Sequence, residues 1–377
     1  MMIRNRLSAL ALAAGLFSSS LAVADDIAIG AVFPLSGPNA TYGDVFMSGS
    51  DLAVKHANED GLLSGTLKVL YEDSQALPQQ GLIAMNKLVN VEQVPYVLTA
   101  FTGVSKAIST LAQRSQTVTV NGGGVGPDLA NLGDYFWNVI PLANNEVGAA
   151  SKYLIEDLGH KRVTLIYVDD PLGASILEEL EDTLDDFGGE LVDSHSIAPT
   201  AQQFSGVAAR VRSSNPDVVY IASYGAQQLQ LLKQLRDNGV DQQIASYSAF
   251  SLPELVALRE AKGSLYTTQS IDWDSTDPVT KRFVDDYRAA HGKTPTSYIA
   301  NYYNAVRVFA ILANELEKQG KEITGANLLA QRQATEKFDL VGGTVAFQEN
   351  GTLLAPIQVV EVTGAGASEI KTVVKAD

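Results

Sequence analysis

Four histidines are the side chains in this sequence best suited to act as general bases or metal ligands. They are His56, His160, His195 and His291. No two of them have the spacing of metal ligands on one helix or strand, and each falls in or beside a predicted polar helix end or strand edge. We therefore interpret all four as solvated surface residues.

Sequence motifs for catalysis are missing as well. The chain contains no G-x-S-x-G elbow, no G-x-x-x-x-G-K-[ST] phosphate loop and no cysteine. The acidic pairs Asp169-Asp170 and Asp285-Asp286 are predicted to be solvated starts or faces of helices. We predict that the protein is not an enzyme and that it uses no metal and no cofactor.

A glycine-rich run at 122–126 follows a predicted strand at 118–120. Pro127 takes the place of the last glycine in the G-x-G-x-x-G spacing, and the segment 128–131 is too short for a packed helix, so a dinucleotide site is not predicted. Glycines allow a backbone to approach a ligand closely. We interpret the run as a loop that faces a ligand, with a flexible turn as the alternative.

Short β-rich runs alternate with stretches of helical periodicity, which is typical of parallel sheets covered by helices. The first half is predicted to contain strands at 27–33, 67–71, 96–99 and 118–120 and helices at 43–58, 79–90 and 105–115. The pattern then restarts with strands at 162–167, 191–196, 218–222 and 244–247 and helices at 146–158, 174–187, 204–214 and 226–238. The sequence thus predicts two doubly wound α/β lobes.

The remaining elements are too few to form a third domain, so we expect them to return to the two lobes. They are helices at 279–291, 298–319 and 325–334 and strands near 344–347 and 357–362. The predicted N-terminal lobe is 25–143 plus about 270–352, and the C-terminal lobe is 144–269 plus about 353–377. Lobes joined by several crossings enclose a cleft, and open α/β sheets bind ligands beyond the carboxyl ends of their strands.

The first 24 residues have the pattern of a secretory signal peptide. Arg4 and Arg6 precede an apolar run at 7–17, and small residues at 22–24 predict cleavage after Ala24 and a periplasmic location. The apolar run is too short to span a membrane. A net charge of −16 argues against nucleic acid as a partner.

Five phrases along the chain resemble, in order and spacing, those of the branched-chain amino-acid binding protein family. They are IGAVFPLSGP at 29–38 with Tyr42-Gly43, Asp73-Ser74, Pro127-Asp128-Leu129, Phe204-Ser205 and NPDVV at 215–219. The resemblance implies a type I periplasmic binding protein fold, in which two lobes joined by a three-crossover hinge close on a small-molecule ligand. It also implies an inner-membrane ABC permease with cytoplasmic ATPases as the partner of a monomeric receptor. A periplasmic ligand sensor of the same fold is the alternative.

The resemblance places one wall of the site in two loops of the first lobe. Thr102, Gly103 and Ser105 are expected to line this wall. Gly123 and Gly124 are expected to supply backbone groups close to the ligand. Backbone donors at strand ends and helix starts suit a ligand carboxylate.

The residues that hold the ammonium group in amino-acid-binding members of the family are replaced here. Val125, Asn144 and Ser248 stand where those members have threonine, aspartate and glutamate. Because a buried ammonium without a carboxylate partner is costly, a neutral wall favours an aliphatic or aromatic carboxylate or an amide over an α-amino acid. A shift of one or two residues in the loop alignment would restore an acid such as Asp128 or Glu146.

Large side chains are expected to form the rest of the site. Tyr42 lies in the first loop, Tyr224 follows a strand of the second lobe, and Trp273 lies near the last crossing. All three are predicted to pack over a ligand, with ordinary packing as the alternative for each. Leu172 takes a position that often contacts ligand in the family, and its apolar side chain favours an apolar ligand body.

Overall fold

The structure is a computed structural model that describes residues 26–375. The predicted signal peptide and its cleavage site lie outside the described residues. Five parallel strands form the first sheet in the order β2-β1-β3-β4-β5. They are β1 (Ile27–Phe33), β2 (Leu67–Asp73), β3 (Tyr96–Thr99), β4 (Val118–Asn121) and β5 (Phe136–Asn138).

Helices from both ends of the chain cover the first sheet. Those from the first half are α1 (Ala40–Glu59), α2 (Pro78–Asn90) and α3 (Thr102–Ser115). Those from the last third are α9 (Pro278–His291), α10 (Ser297–Lys318) and α11 (Gly325–Ala334), followed by the hairpin β11 (Phe338–Leu340) and β12 (Gly343–Val345). Helices α1 and α10 pack so closely that a Cβ on Gly49 would lie 2.1 Å from the carbonyl oxygen of Ile299. The late helices therefore return to the first lobe.

The second sheet has seven strands in the order β14-β13-β10-β9-β8-β6-β7. Five of them are mutually parallel: β6 (Arg162–Val168), β7 (Glu190–Ile197), β8 (Val218–Ala222), β9 (Gln243–Ser246) and β10 (Leu265–Gln269). The last two, β13 (Ile357–Gly364) and β14 (Ala367–Val374), are antiparallel additions at one edge. The associated helices are α4 (Ala143–Lys152, continued by a π turn at Tyr153–Asp157), α5 (Pro171–Phe187), α6 (Ser205–Ser214), α7 (Gly225–Asp237) and α8 (Pro253–Val256).

The chain crosses between the two sheets three times, in segments 139–142, 270–277 and 346–356. The third crossing is tied to the end of β5 at Asn138, whose N–H donates to the Gly351 carbonyl and whose carbonyl accepts from the N–H of Leu353, both at 2.9 Å, and to the second crossing by the N–H of Ser270, which donates to the Pro356 carbonyl at 2.7 Å. Three adjacent crossings form a hinge about which two rigid lobes can rotate.

The start of α5 differs from the sequence prediction, which placed it at 174. Asp170 caps the helix, since its Oδ1 accepts the N–H groups of Leu172 and Gly173, and Pro171 occupies the first helical position. Both are ordinary signals of a helix start. The helix therefore begins directly after β6, so that its first turn faces the space between the lobes.

Two histidines contradict the prediction that all four are solvated. His56 is 3% exposed and lies between α1, α9 and α10, with Nδ1 2.8 Å from the Tyr303 hydroxyl and Nε2 2.8 Å from Asp286 Oδ2. His195 is also buried, on β7. Burial lowers the pKa of both imidazoles. Neither contacts the space between the lobes, so their role is packing.

Within residues 26–375, no helix is long and apolar enough to cross a membrane. The same residues bring together no group of three or more His, Cys, Asp or Glu side chains able to hold a metal ion.

Candidate functional site

A cavity of about 320 Å³ lies between the two lobes, where the strands of both sheets end. Its first-lobe lining, here called the first wall, follows β1, β2, β3 and β4 and includes α10: Gly37, Pro38, Asn39, Tyr42, Gln75, Ala76, Leu77, Pro78, Phe101, Thr102, Gly103, Gly123, Gly124, Val125 and Tyr298. Its second-lobe lining, the second wall, follows β6, β7, β8 and β9: Asp170, Pro171, Leu172, Pro199, Thr200, Tyr224, Tyr247 and Ala249. Such a position, beyond the carboxyl ends of parallel strands, is where α/β proteins bind small molecules.

The loop after β3 turns sharply at Phe101, which has φ +63° and ψ 130°. A non-glycine residue in this conformation is strained and persists only where its surroundings hold it. The strained residue directs the chain into α3, which begins at Thr102 without a side-chain cap. The first N–H groups of α3, at Thr102 and Gly103, are therefore available at the cavity.

The loop after β4 is organised by Asn121, which is fully buried. Its Oδ1 accepts the N–H groups of Gly123 at 3.2 Å and Gly124 at 2.7 Å, and its Nδ2 donates to the Gly124 carbonyl at 2.7 Å. A Cβ on Gly124 would lie 3.0 Å from backbone atoms of Phe101 and Thr102. The loops after β3 and β4 therefore meet backbone to backbone, and a side chain at position 124 would crowd this contact.

Asp170 is the one charged side chain among the described residues that line the cavity. Besides capping α5, it accepts the Tyr224 hydroxyl at 2.6 Å through Oδ2. Burial raises the pKa of the Asp170 carboxyl, and these hydrogen bonds oppose the rise. The pair Asp169-Asp170 does stand at a helix start, as the sequence predicted, with Asp169 exposed and Asp170 partly buried. Because Asp170 stands in the wall, the expectation of a wholly neutral site is corrected.

Aromatic rings close the cavity across the two lobes. Phe101 of the first wall packs edge-on against Tyr224 of the second, with ring centroids 5.4 Å apart, and against Tyr42 at 5.5 Å. The Tyr42 hydroxyl lies 3.4 Å from the N–H of Gly225 and 3.5 Å from the Ala249 carbonyl. The two lobes thus already touch around the cavity, so a bound solute would be enclosed on both sides.

Seven of the eleven predicted site residues line the cavity: Tyr42, Thr102, Gly103, Gly123, Gly124, Leu172 and Tyr224. Sequence reasoning missed Phe101, Asp170, Tyr247 and Tyr298. The aspartate had a sequence signal, because an Asp-Pro pair after a strand predicts a capped helix at the strand end.

The other four predicted residues do not line the cavity. Ser105 is buried one turn into α3, with its hydroxyl 3.4 Å from that of Thr99. Asn144 is exposed on α4, and Trp273 packs against Phe283 of α9, because the crossing that carries Trp273 runs outside the cavity. Ser248 is buried behind the second wall.

The two acids offered as alternatives to the neutral wall lie in different environments. Asp128 is partly exposed and forms an ion pair with Lys106. Glu146 is fully buried behind the cavity, where its Oε2 accepts the N–H of Ser248 at 2.7 Å. Burial raises the pKa of Glu146 to about 8, and the hydrogen bonds from Ser248 limit the rise.

A model of the periplasmic binding protein family matches residues 26–367. Leu/Ile/Val-binding protein homolog 3 of Brucella melitensis is 26% identical over 356 residues, which cover 93% of this chain and 94% of the relative. The Leu/Ile/Val-binding protein BraC3 of Rhizobium johnstonii is 28% identical over 335 residues, which cover 87% and 89%.

Solved structures share the whole architecture. The substrate-binding protein LivJ of Streptococcus pneumoniae, in complex with isoleucine, has a TM-score of 0.83 at 19% identity and covers 93% of this chain and 99% of its own. An ABC transporter solute-binding protein of R. palustris, in complex with benzoate, also has a TM-score of 0.83, at 16% identity, with 94% and 98% covered. These likenesses confirm the predicted fold of two α/β lobes joined by three crossings.

Proposed function

The chain belongs to the periplasmic binding protein family and has the type I fold, and from this premise we propose that it is the substrate-binding component of an ABC importer. The cavity that both lobes line carries the proposal. Its walls supply few polar groups and many rings, which is the composition of a small-molecule site. The protein would capture its solute by closure of the lobes and present it to an inner-membrane permease with cytoplasmic ATPases.

The first wall is proposed to bind the polar end of the solute. The N–H groups of Thr102 and Gly103 lie at the start of α3, where the helix dipole and unpaired donors favour a carboxylate or carbonyl oxygen. Gly124 keeps the neighbouring backbone close enough to complete this wall. The geometry therefore suits a small carboxylate or amide.

The second wall is proposed to select the body of the solute. Leu172, Tyr224 and Tyr247 present apolar surface, and Phe101 reaches over from the first wall. Asp170 can accept one hydrogen bond or the ammonium group of the solute. The proposed ligands are branched-chain amino acids and related small carboxylates, aromatic acids or amides, and the names of the relatives above support this range.

The remaining features of the proposal concern the cell and the chain. We propose that the signal peptide at 1–24 directs export and that the protein acts in the periplasm as a monomer. We also propose that the boundaries between its two lobes lie near residues 143, 270 and 352. The protein would perform binding without turnover.

A ligand screen tests the proposal. The chain from residue 25 is melted with leucine, isoleucine, benzoate, 4-hydroxybenzoate and benzamide, and each hit is titrated calorimetrically. At least one solute is expected to raise the melting temperature saturably, since a ligand at 100 times its Kd stabilises by about 2.7 kcal/mol, and to bind 1:1 without being altered. The absence of any shift, or chemical conversion of a hit, contradicts the proposal.

A further inference from the structure

We infer that Glu146 is a positioning residue of the cavity: through Ser248, it sets which hydrogen-bonding partner the Tyr298 hydroxyl presents to a bound solute. The inference rests on the proposed function, because it concerns the solute held between the two walls. It assigns the choice between a carboxylate and an N–H donor to a residue that does not touch the solute.

The first step is the burial of Glu146, which lies in the first turn of α4 and has no exposed surface. Its Oε2 accepts one N–H, from Ser248, and its Oε1 has no hydrogen-bond partner within residues 26–375. A buried carboxylate with so few donors is poorly compensated. Burial accordingly raises the pKa of this carboxyl to about 8, so that most of it is protonated at neutral pH.

The second step is the path from Glu146 to the cavity. The hydroxyl of Ser248 favours the ionised form of Glu146, as its N–H does. The same hydroxyl oxygen lies 3.2 Å from the hydroxyl of Tyr298. Tyr298 is a residue of the first wall and is 2% exposed. Carboxyl, serine and tyrosine therefore form a continuous polar path from inside the second lobe to the cavity lining.

The third step follows from the single hydrogen that each hydroxyl carries. When Glu146 is ionised, its negative charge turns the hydrogen of the Ser248 hydroxyl away from Tyr298, so Tyr298 donates to Ser248 and offers only lone pairs to the cavity. When Glu146 is protonated, Ser248 is free to donate to Tyr298. The tyrosine O–H then donates into the cavity.

The two states suit different solutes. A carboxylate only accepts hydrogen bonds, so its binding is favoured when Glu146 is protonated and Tyr298 donates. An amide N–H or an ammonium group donates, so its binding is favoured when Glu146 is ionised and the Tyr298 oxygen accepts. The site therefore takes a carboxylate at neutral pH. It releases that carboxylate as the pH rises past about 8, because Glu146 loses the proton that the complex requires.

The other titratable groups around Glu146 do not interfere in this range. Tyr220 on β8 and Tyr298 on α10 are the ionisable side chains whose charge acts together with that of Glu146. Burial raises the pKa of both phenols well above their usual value, so both stay neutral. The described residues provide no ion-pair partner for Glu146.

The first test needs no solute. Tyrosine labelled with ¹³C at Cζ reports the hydrogen bonding of each phenol, and the Tyr298 signal is identified by its loss in Tyr298→Phe. In the wild type this signal is expected to move with a midpoint near pH 8, and in Glu146→Gln it is expected to stay constant. Glu156→Gln, the same change at an exposed residue beyond α4, should titrate like the wild type. A constant wild-type signal overturns the inference.

The second test uses benzoate and benzamide, which have the same shape and differ in whether they can donate. Between pH 7 and pH 9.5 the wild-type affinity for benzoate is expected to fall about tenfold, the difference of one hydrogen bond. The affinity for benzamide should change less than twofold, and Glu146→Gln should lose the pH dependence for benzoate. A benzoate slope that survives in Glu146→Gln overturns the inference.

The two tests separate this inference from the proposed function. If the Tyr298 signal titrates as expected and neither probe binds at any pH, the path from Glu146 is supported and the aromatic acids and amides are removed from the proposed ligands. If a probe binds and the Tyr298 signal does not titrate, the proposed function stands and the inference is wrong.

Discussion

The two walls of the cavity present different kinds of chemical group, backbone in the first and side chains in the second. The first wall presents backbone groups to the cavity: the N–H groups of Thr102 and Gly103 and the glycines of the loop after β4, where a Cβ added to Gly124 would lie 3.0 Å from backbone atoms of Phe101 and Thr102. The second wall places side chains there, above all Asp170, Leu172 and Tyr224. Backbone groups cannot be replaced by substitution, whereas side chains can, so the first wall suits a feature that all solutes share and the second suits selection among them.

A residue behind the second wall makes the stability of the protein depend on pH. Glu146, behind the second wall, has its pKa raised to about 8, so its protonation stabilises the folded protein. That contribution is complete below the unfolded pKa near 4.5 and is lost as the pH rises through about 8. As the pH is raised from 5 to 8, the free energy of unfolding of Glu146→Gln should therefore increase relative to that of the wild type, by on the order of 4 kcal/mol. Urea unfolding at several pH values measures the free energy of unfolding of both proteins. If this free energy depended on pH in the same way in both, the prediction would be contradicted.

The backbone contact of the first wall is expected to tolerate no side chain. In Gly124→Ala the new Cβ would press on backbone atoms of Phe101 and Thr102, which cannot move aside as a flexible side chain does. We expect about 2 kcal/mol of lost binding energy, roughly a 30-fold higher Kd. The matched control is Gly206→Ala, whose Cβ would meet nothing within 4 Å. Equal affinities in the two variants would show that the first wall is not built by this contact.

The ring of Tyr224 is expected to matter more than its hydroxyl. Tyr224→Ala removes an edge-on partner of Phe101 across the cavity and should raise the Kd about tenfold. Tyr224→Phe keeps the ring and leaves Asp170 Oδ2 without its donor, and should raise the Kd only about threefold. Calorimetry on both variants decides the point. A larger loss for phenylalanine than for alanine would assign the second wall to polar recognition.

Trp273 gives the smallest expected effect. Because it packs against Phe283 outside the cavity, Trp273→Ala should leave the Kd within twofold and lower the melting temperature. This reverses what the sequence suggested, since an aromatic residue near a crossing was predicted to pack over the ligand. A large loss of affinity with an unchanged melting temperature would restore the earlier interpretation.

The sequence predicted the fold and the parts of the first wall that follow β3 and β4, because these depend on periodicity and on strand ends. Four lining residues lie three or four positions after the ends of predicted strands: Thr102, Gly103, Gly123 and Gly124. Phe101 also follows the predicted strand at 96–99, but the sequence gives no signal of its φ of +63°. That conformation is imposed by contacts with distant segments.

The sequence failed to predict Tyr298 of the first wall and the burial of Glu146 behind the second wall for a different reason. Tyr298 belongs to α10, which returns to the cavity from the last third of the chain, and Glu146 of α4 is contacted by Ser248, which lies 102 residues later in the chain. Contacts of such sequence separation leave no local pattern. Asp170 is the exception, because the Asp-Pro pair after β6 did mark a capped helix at the cavity.

The most direct test of the central claim uses a substitution in the second wall whose side chain fills the cavity. Leu172 lines it, so Leu172→Trp should occupy the solute's place while the fold remains. The wild type and this variant are titrated calorimetrically with the solute that stabilises the wild type most. We predict 1:1 binding in the wild type and none detectable in Leu172→Trp, with a melting temperature of the empty variant near that of the wild type. Unchanged binding in Leu172→Trp would show that the solute is held elsewhere and would contradict the account.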